Sequence, residues 1–200
     1  MKRLLGRLRG TEGSQLAEFA VTLPLLVVFL IAIYDFGNAF SVKHKLVTAV
    51  REGTRFAANQ PTADLSNPSA GSCSPDDSIC TGSVEAIARL VGAHLLTEGL
   101  PDCGLSNSSV QTVTTSDLSW TYSVSSGCAG TLSLTVNRGF TYQVSPSALY
   151  VKSMTVDATQ VTISYPYTWQ FRKVIGLIAP GSGYATSSQI TATATVPNLN

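Results

Sequence analysis

The chain has few charged residues, and outside its first residues no cluster of one sign. Its 200 residues include 13 Lys and Arg and 12 Asp and Glu, which gives a formal net charge of +1. Proteins that bind nucleic acid usually present a basic patch or stripe, because phosphate neutralisation dominates their affinity. This composition therefore argues against a nucleic-acid partner.

The sequence also lacks the short motifs that carry most enzyme chemistry. It contains no nucleophile elbow, no phosphate-cradling glycine loop and no paired metal-ligand motif. A surface role or a satisfied side chain explains His44 and His94 better than a catalytic base, which needs a placed partner. Asp76 and Asp77 supply too few oxygens for a calcium cage. We therefore expect no enzyme activity, no cofactor and no metal site.

A long uncharged run near the N-terminus is the strongest signal in the chain. Residues 19–34 carry no charge, and a helix over residues 16–40 is long enough to cross a bilayer core. That helix includes Glu18 and Asp35. An ionisable group at the edge of a lipid-facing helix is costly, so we interpret Glu18 as functional.

The residues before this run form a basic leader, residues 1–13. The positive-inside rule keeps such a segment cytoplasmic, which predicts that the chain after the span lies outside the cytoplasm. Removing the leader takes away four cations and one acid, and leaves nine Lys and Arg against eleven Asp and Glu. The charged residues of the leader are Lys2, Arg3, Arg7, Arg9 and Glu12.

Three kinds of export signal are compatible with this arrangement. An ordinary secretory signal would be cut after the apolar run, for which Gly37-Asn38-Ala39 loosely serves, but it has to accept Glu18 and Asp35 beside the run. An uncut signal anchor leaves Glu18 without a role. A signal cut after Gly13, before the apolar run, keeps the run in the mature protein and creates a terminal amine as a partner for Glu18.

Five short pieces of sequence stand out over residues 13–58, and in chain order they are Gly13, Glu18-Phe19-Ala20, Leu23-Pro24-Leu25-Leu26, Asp35-Phe36-Gly37 and Ala49-Val50-Arg51-Glu52-Gly53-Thr54-Arg55-Phe56-Ala57. In these pieces and in their order the chain resembles type IV pilins and pseudopilins, specifically the TadE-like proteins of the tight-adherence (Flp-type) pilus system. Beyond residue 60 the resemblance thins to a Tyr-x-Tyr strand and a terminal strand rich in Thr and Ala.

The resemblance implies a minor pseudopilin that takes part in assembling a Tad/Flp-type pilus or a related secretion machine. It would be an inner-membrane, single-pass precursor with a cytoplasmic N-terminus, cut by a prepilin peptidase between Gly13 and Ser14. Glu18, Phe19 and Pro24 would act in assembly. The implied partners are other pilin and pseudopilin subunits, the prepilin peptidase, the inner-membrane assembly platform and membrane lipid. The alternative is an uncleaved, signal-anchored extracytoplasmic binding or adhesion module.

Helix geometry supports this role for Glu18. At a rise of about 1.5 Å per residue, Glu18 lies about 6 Å above a new terminus at Ser14. A neighbouring subunit shifted by that distance would bring its ammonium to the carboxylate, where attraction is strong but desolvation offsets much of it. The pair would therefore select one register more than it adds affinity. Pro24 predicts a kink or local opening of the helix, with a harmless bend as the alternative to a role in leaving the membrane.

We expect the helix to continue past the membrane as a stem to about Ala58. Gly53 is unfavourable inside a helix by about 1 kcal/mol relative to Ala, which indicates close packing against another element. The candidate residues for packing of the stem helix are Arg51, Glu52, Gly53 and Arg55, of which the three charged ones lie off its apolar side. That side is a stripe on which a globular head can dock, formed by Val42, Leu46, Ala49, Gly53 and Phe56.

The four cysteines all follow the span and predict disulfides in an oxidising compartment. Three pairings are possible, and zinc is the competing interpretation. Short loops close more easily, which favours Cys73–Cys80 together with Cys103–Cys128.

The remainder predicts an α+β head over residues 60–200, after the leader at 1–13 and the membrane and stem helix at 14–59. Ser83 starts a second helix that ends near Glu98, where Gly99-Leu100-Pro101 follows. Its buried face is expected to consist of Val84, Ile87, Ala88, Val91 and Leu95. The stem helix is expected to pack on one face of an antiparallel sheet. The apolar run Val174–Ala179 is too short to span a membrane, and core packing is favoured over contact with lipid or a neighbouring subunit. The predicted strands are 110–118, 120–124, 131–136, 140–144, 155–165 and 189–196.

Overall fold

The computed structural model describes residues 11–60, 83–107, 112–116, 118–144, 154–171 and 188–198. Within these residues two helices precede five strands, so the predicted α+β class is confirmed. Residues 1–10, Cys73, Cys80, Asp76, Asp77 and Val174–Ala179 lie outside the described residues. The elements are α1 Thr11–Ala58, α2 Ser83–Thr97, β1 Thr112–Ser116, β2 Ser119–Val124, β3 Leu132–Val144, β4 Met154–Tyr167 and β5 Ser188–Pro197.

The chain divides into two compact units, and the division falls inside α1. The first unit contains residues 1–38 and 169–186, and the second contains residues 39–168 and 187–200. The apolar part of α1 therefore belongs to one unit and the stem part to the other. The proposed division into leader, helix and head concerns processing and export, and it stays a prediction.

In the second unit α1 contributes a buried stripe to the core. Leu46, Ala49, Val50 and Ala57 are fully buried, whereas Phe56 is 37% exposed. The prediction that Phe56 belongs to the stripe is wrong. A straight α-helix has 3.6 residues per turn, so the position eleven residues after Leu46 returns to almost the same direction, and that position is Ala57.

Helix α2 is amphipathic and ends as the sequence predicts. At its C-terminus Gly99 adopts φ +74°, the left-handed conformation that glycine tolerates best. The Leu100 N–H then donates to the Leu95 carbonyl at 2.8 Å, and the Gly99 N–H donates to the Leu96 carbonyl at 3.0 Å, the bonds of a Schellman cap. The predicted buried face of α2 is confirmed, and it consists of Val84, Ile87, Ala88, Val91 and Leu95.

The five strands form an antiparallel meander in the order β1-β2-β3-β4-β5. Side chains of β2 and β3 alternate between buried and partly exposed, as expected of a sheet with one face on the core. One hydrophobic core in the second unit joins α1, α2 and the inner face of the sheet. Its sheet residues include Trp120, Tyr122, Leu134, Val136, Val161, Ile163 and Ala192.

Strand β3 is longer than predicted. The sequence pattern separates residues 131–136 from residues 140–144, but the structure has one strand with a register shift between Asn137 and Phe140. At this irregularity the Arg138 N–H donates to the Leu118 carbonyl at 2.9 Å. A Cβ at Gly139 would lie 3.2 Å from the Leu118 Cβ, so the glycine permits the close approach. A β-bulge between Asn137 and Phe140 therefore keeps residues 132–144 in one strand, although the sequence pattern predicts an interruption there.

Strand β4 also extends past its predicted end at Tyr165, through Pro166 to Tyr167. The pairing of β3 with β4 ends at Ser133 and Ser164. Because β4 is an edge on that side beyond Ser164, a residue without an N–H is tolerated there.

Candidate functional site

The membrane-level part of α1 presents apolar side chains on its surface. Among the described residues, Gln15–Ala58 is the one helix long and apolar enough to cross a membrane by length and composition, with a peak mean hydropathy of 2.5. Such a large exposed apolar surface requires lipid or protein to cover it. The exposed residues are Leu16, Phe19, Val21, Leu23, Leu25, Leu26, Val27, Phe29, Leu30, Ile33, Tyr34, Phe36 and Phe40.

The predicted processing residues Gly13 and Ser14 lie in the part of α1 that is described from Thr11 onward. Their role in processing stays a prediction.

Glu18 is exposed on the apolar helix, one turn after Ser14. Its backbone carbonyl accepts a 3.0 Å hydrogen bond from the Thr22 hydroxyl. Within the described part of the chain nothing bonds to its carboxylate. Phe19 is 62% exposed, and Pro24, also exposed, lies inside α1 without ending the helix. The predicted assembly residues therefore share one accessible stretch of helix.

Asp35, the other acid of the span, has a different environment. It is 1% exposed, and its Oδ2 accepts a hydrogen bond of 2.8 Å from the Phe171 N–H. The next residue, Phe36, meets Trp169 edge to face, with ring centroids 5.4 Å apart and an interplanar angle of 64°. The sequence contains the Asp35-Phe36-Gly37 motif but indicates no partner for it. The structure supplies that partner from the turn after β4.

The Arg-Glu-Gly-x-Arg part of the stem divides into packed and exposed residues. Gly53 is buried against α2, where a Cβ would lie 2.5 Å from Val91 Cγ2. Arg51 is exposed, and Arg55 forms a 3.2 Å ion pair with Glu52 on the surface. The charged residues of this motif therefore remain accessible, while the glycine sets the distance between helices.

Lys43 and Lys45, which flank His44 in the chain, bind backbone carbonyls of the second unit. Lys43 donates to the Thr191 carbonyl of β5, and Lys45 donates to the Glu98 carbonyl just after α2. A cation is favourable at the negative end of a helix. His44 is exposed between them, as predicted.

A buried arginine binds the backbone just after the C-terminal end of the stem. Arg138, 4% exposed, donates from Nη2 to the Gln60 carbonyl at 2.8 Å. The Gln60 N–H in turn donates to the Ala57 carbonyl at 3.2 Å. This contact ties the β3 irregularity to the end of α1, and no local sequence pattern indicates it.

Cys103 and Cys128 form a disulfide with a Cα–Cα distance of 5.3 Å. It is one of the two bonds in the favoured pairing. Next to it, the Asp102 carboxylate accepts hydrogen bonds from the Ser106 hydroxyl at 2.6 Å, the Ser106 N–H at 2.9 Å and the Gly104 N–H at 3.1 Å. Burial raises the pKa of Asp102, but these hydrogen bonds outweigh it and hold the pKa below the ordinary value of 3.8.

No group of three or more His, Cys, Asp or Glu that could hold a metal occurs within the residues described above. The candidate functional features of that part of the chain are the exposed apolar helix, the carboxylates of Glu18 and Asp35, and the contacts of Asp35 and Phe36 with the turn after β4. An exposed apolar helix of this length is typical of a membrane anchor.

A long apolar N-terminal helix followed by a compact β-rich head is typical of a protein that is anchored in a membrane by its first helix. Within that class, the sequence model of the TadE-like protein family matches residues 13–55. The match confirms the resemblance over the helix that carries Gly13, Glu18, Asp35 and Gly53. The match covers 43 of the 200 residues, all of them within α1. No curated protein and no solved structure is significantly similar to the chain.

Proposed function

We propose that this chain is a minor pseudopilin that takes part in assembling a Tad/Flp-type pilus or a related secretion machine. A prepilin peptidase cuts it between Gly13 and Ser14, and the mature helix stays in the inner membrane until other pilin-like subunits recruit it. The head, residues 60–200, lies outside the cytoplasm. The match of residues 13–55 to TadE-like proteins supports this function.

The observation that carries the proposal is the contrast between the two carboxylates of the span. Asp35 is buried and hydrogen-bonded within the chain, whereas Glu18 is exposed on a helix whose following sixteen residues are uncharged. An exposed carboxylate at the edge of lipid is favourable only when a cation neutralises it. The terminal ammonium of a neighbouring subunit is a cation at the right level.

Cleavage supplies that ammonium and removes competing cations. The cut separates four basic leader residues from the helix and leaves a single positive charge at Ser14, about 6 Å below Glu18 along the axis. A neighbour displaced by this rise forms the pair, and other displacements leave the charge unpaired. Because a broken pair in low dielectric costs several times more than an intact pair gains, the interaction selects the register of assembly.

Mass spectrometry of the mature N-terminus tests the processing step. In cells with an active prepilin peptidase we expect a chain that begins at Ser14, and in cells without it a chain that begins at Met1. A mature chain beginning at Phe40 would indicate a secreted protein. A chain that keeps Met1 beside the active peptidase would indicate an uncut anchor, and either result contradicts the proposal.

The variant Glu18→Gln tests the assembly step. We expect it to insert and to be recovered in the membrane fraction, but to be lost from the crosslinked complex with pilin-like subunits. Glu52→Gln is the matched control, because Glu52 is a second exposed glutamate of α1 that lies in the stem. Normal crosslinking of Glu18→Gln would support the alternative, an anchored binding or adhesion module.

A further inference from the structure

We propose that the turn Trp169-Gln170-Phe171, here named the aromatic turn, lies in the lipid headgroup layer beside α1. It would give the protein a second contact with the membrane and fix the depth of the helix. This inference rests on the proposed insertion of α1 in a membrane. It uses only residues of the first compact unit.

The depth of the aromatic turn follows from its contact with Asp35. Glu18 and Asp35 are separated by seventeen residues, a rise of about 26 Å along a helix. The hydrocarbon core of a bilayer is about 30 Å thick, so the two carboxylates lie near opposite edges of the core. Because the Phe171 N–H lies 2.8 Å from Asp35 Oδ2, the aromatic turn lies at the outer edge.

The composition of the turn matches that level of the membrane. Tryptophan concentrates at the membrane–water boundary, where its ring is apolar and its N–H can reach polar groups. Trp169 is half-buried against Phe36, Gln170 is exposed and Phe171 is half-buried. In the sequence the turn is followed directly by Arg172 and Lys173.

The hydrogen bond between Phe171 and Asp35 explains how a carboxylate and a backbone N–H can both lie at the edge of the hydrocarbon core. An unpaired carboxylate and an unpaired N–H at the edge of the core are each unfavourable. Paired, they form a charge-assisted hydrogen bond, which is stronger than a neutral one. Asp35 therefore acts as a positioning residue that holds the aromatic turn against the helix at a defined depth.

Tryptophan fluorescence distinguishes lipid from other surroundings, because the chain has two tryptophans in different environments. Trp120 is 2% exposed in the head core, and Trp169 lies in the aromatic turn. The full-length protein is reconstituted in phosphatidylcholine vesicles whose acyl chains carry bromine either near the headgroup or near the methyl end. We expect the shallow bromines to quench the wild-type emission more than the deep ones. That quenching is expected to be lost in Trp169→Phe, which keeps only Trp120.

Asp35→Asn then tests the positioning role. We expect it to weaken quenching by shallow bromines and to increase quenching by aqueous acrylamide, whereas Glu52→Gln leaves both as in the wild type. Quenching of Trp169 by acrylamide but not by brominated lipid would overturn the inference, and so would quenching by neither, which means that protein covers the ring. Carbonate extraction separates the two proposals: a chain that is extracted contradicts both, and one that stays inserted with Trp169 unquenched contradicts only this one.

Discussion

Gly53 of the stem helix lies so close to Val91 of α2 that a Cβ at residue 53 would stand 2.5 Å from Val91 Cγ2. Ile87 Cγ2 would lie 3.8 Å from the same Cβ. The distance between the two helices therefore depends on the absence of a side chain at this one position. Glycine costs the helix about 1 kcal/mol in propensity relative to alanine, and the close packing that Gly53 permits offsets this cost.

Gly53→Ala is expected to lower the free energy of unfolding by about 1–3 kcal/mol, because the new methyl overpacks the contact. Valine in a helix has one strongly preferred rotamer, so Val91 cannot turn aside easily. Thermal and urea unfolding of the detergent-solubilised chain, followed by circular dichroism, measures the change. Gly37→Ala is the control on the same helix, since nothing lies within 4 Å of a Cβ there. Equal effects of the two substitutions would contradict the packing explanation. In the double variant Gly53→Ala/Val91→Ala we expect part of the lost free energy of unfolding to be recovered, because the smaller residue 91 leaves room for the new methyl.

Arg138→Gln is expected to destabilise the chain by roughly 1.5–3 kcal/mol, the range for a hydrogen bond to a charged group. The shorter side chain cannot reach the Gln60 carbonyl, which Arg138 contacts at 2.8 Å. The same unfolding measurement applies. Arg55→Gln is the control for loss of a cation on a surface, because the Arg55 side chain is 69% exposed and its ion pair is worth little. If both variants unfold like the wild type, Arg138 does not stabilise the end of the stem.

Removing the disulfide with Cys103→Ser and Cys128→Ser is expected to cost about 3.5 kcal/mol, from the loop entropy of a bond that closes 25 residues. The matched pair Cys73→Ser and Cys80→Ser would remove a bond that closes seven residues and is expected to cost about 2.4 kcal/mol. Non-reducing peptide mapping identifies the bonds, and unfolding without reductant measures the costs. Peptides that join Cys73 or Cys80 to Cys103 would contradict the pairing.

The lowered pKa of Asp102 predicts that the folded protein loses stability in acid. Its pKa in the folded chain is below the unfolded value of 3.8, so its contribution is present above that value and is lost as the pH falls through the folded pKa. Asp102→Asn removes carboxylate acceptors for Gly104 and Ser106 and is expected to destabilise the protein most at neutral pH. The difference from the wild type should shrink as the pH is lowered below about 4. Asp157→Asn, at an exposed position of β4, controls for the loss of one negative charge. A difference that is constant with pH would contradict this role of Asp102.

The elements could be predicted wherever their signal is local. The buried face of α2 follows from spacing at three and four residues, and the end of α2 follows from a glycine and a nearby proline. The stripe of α1 was predicted less well, because steps of alternating three and four residues drift from the 3.6 residues of a straight helix and included Phe56. The interruption predicted in β3 failed for another reason. The bulge at Arg138 and Gly139 depends on Leu118, a residue of the preceding turn.

The candidate site could be predicted in part. The isolation of Glu18 follows from the uncharged run beside it, and the exposure of Arg51, Glu52 and Arg55 follows from their place off the apolar stripe. The environment of Asp35 could not be predicted, because its partner Phe171 is 136 residues away in the chain. The same holds for Arg138 and Gln60, which are 78 residues apart.

By itself the sequence determined the length of the apolar helix, the level of its two carboxylates and the class of the fold, because the cost of burying charge and the period of a helix act over neighbouring residues. Only the tertiary structure decided that Asp35 binds the turn after β4 while Glu18 stays exposed. It also decided that Gly53 meets Val91. Contacts of this kind depend on how distant segments pack, and a residue's type and neighbours in the chain do not encode which distant group comes within hydrogen-bond distance.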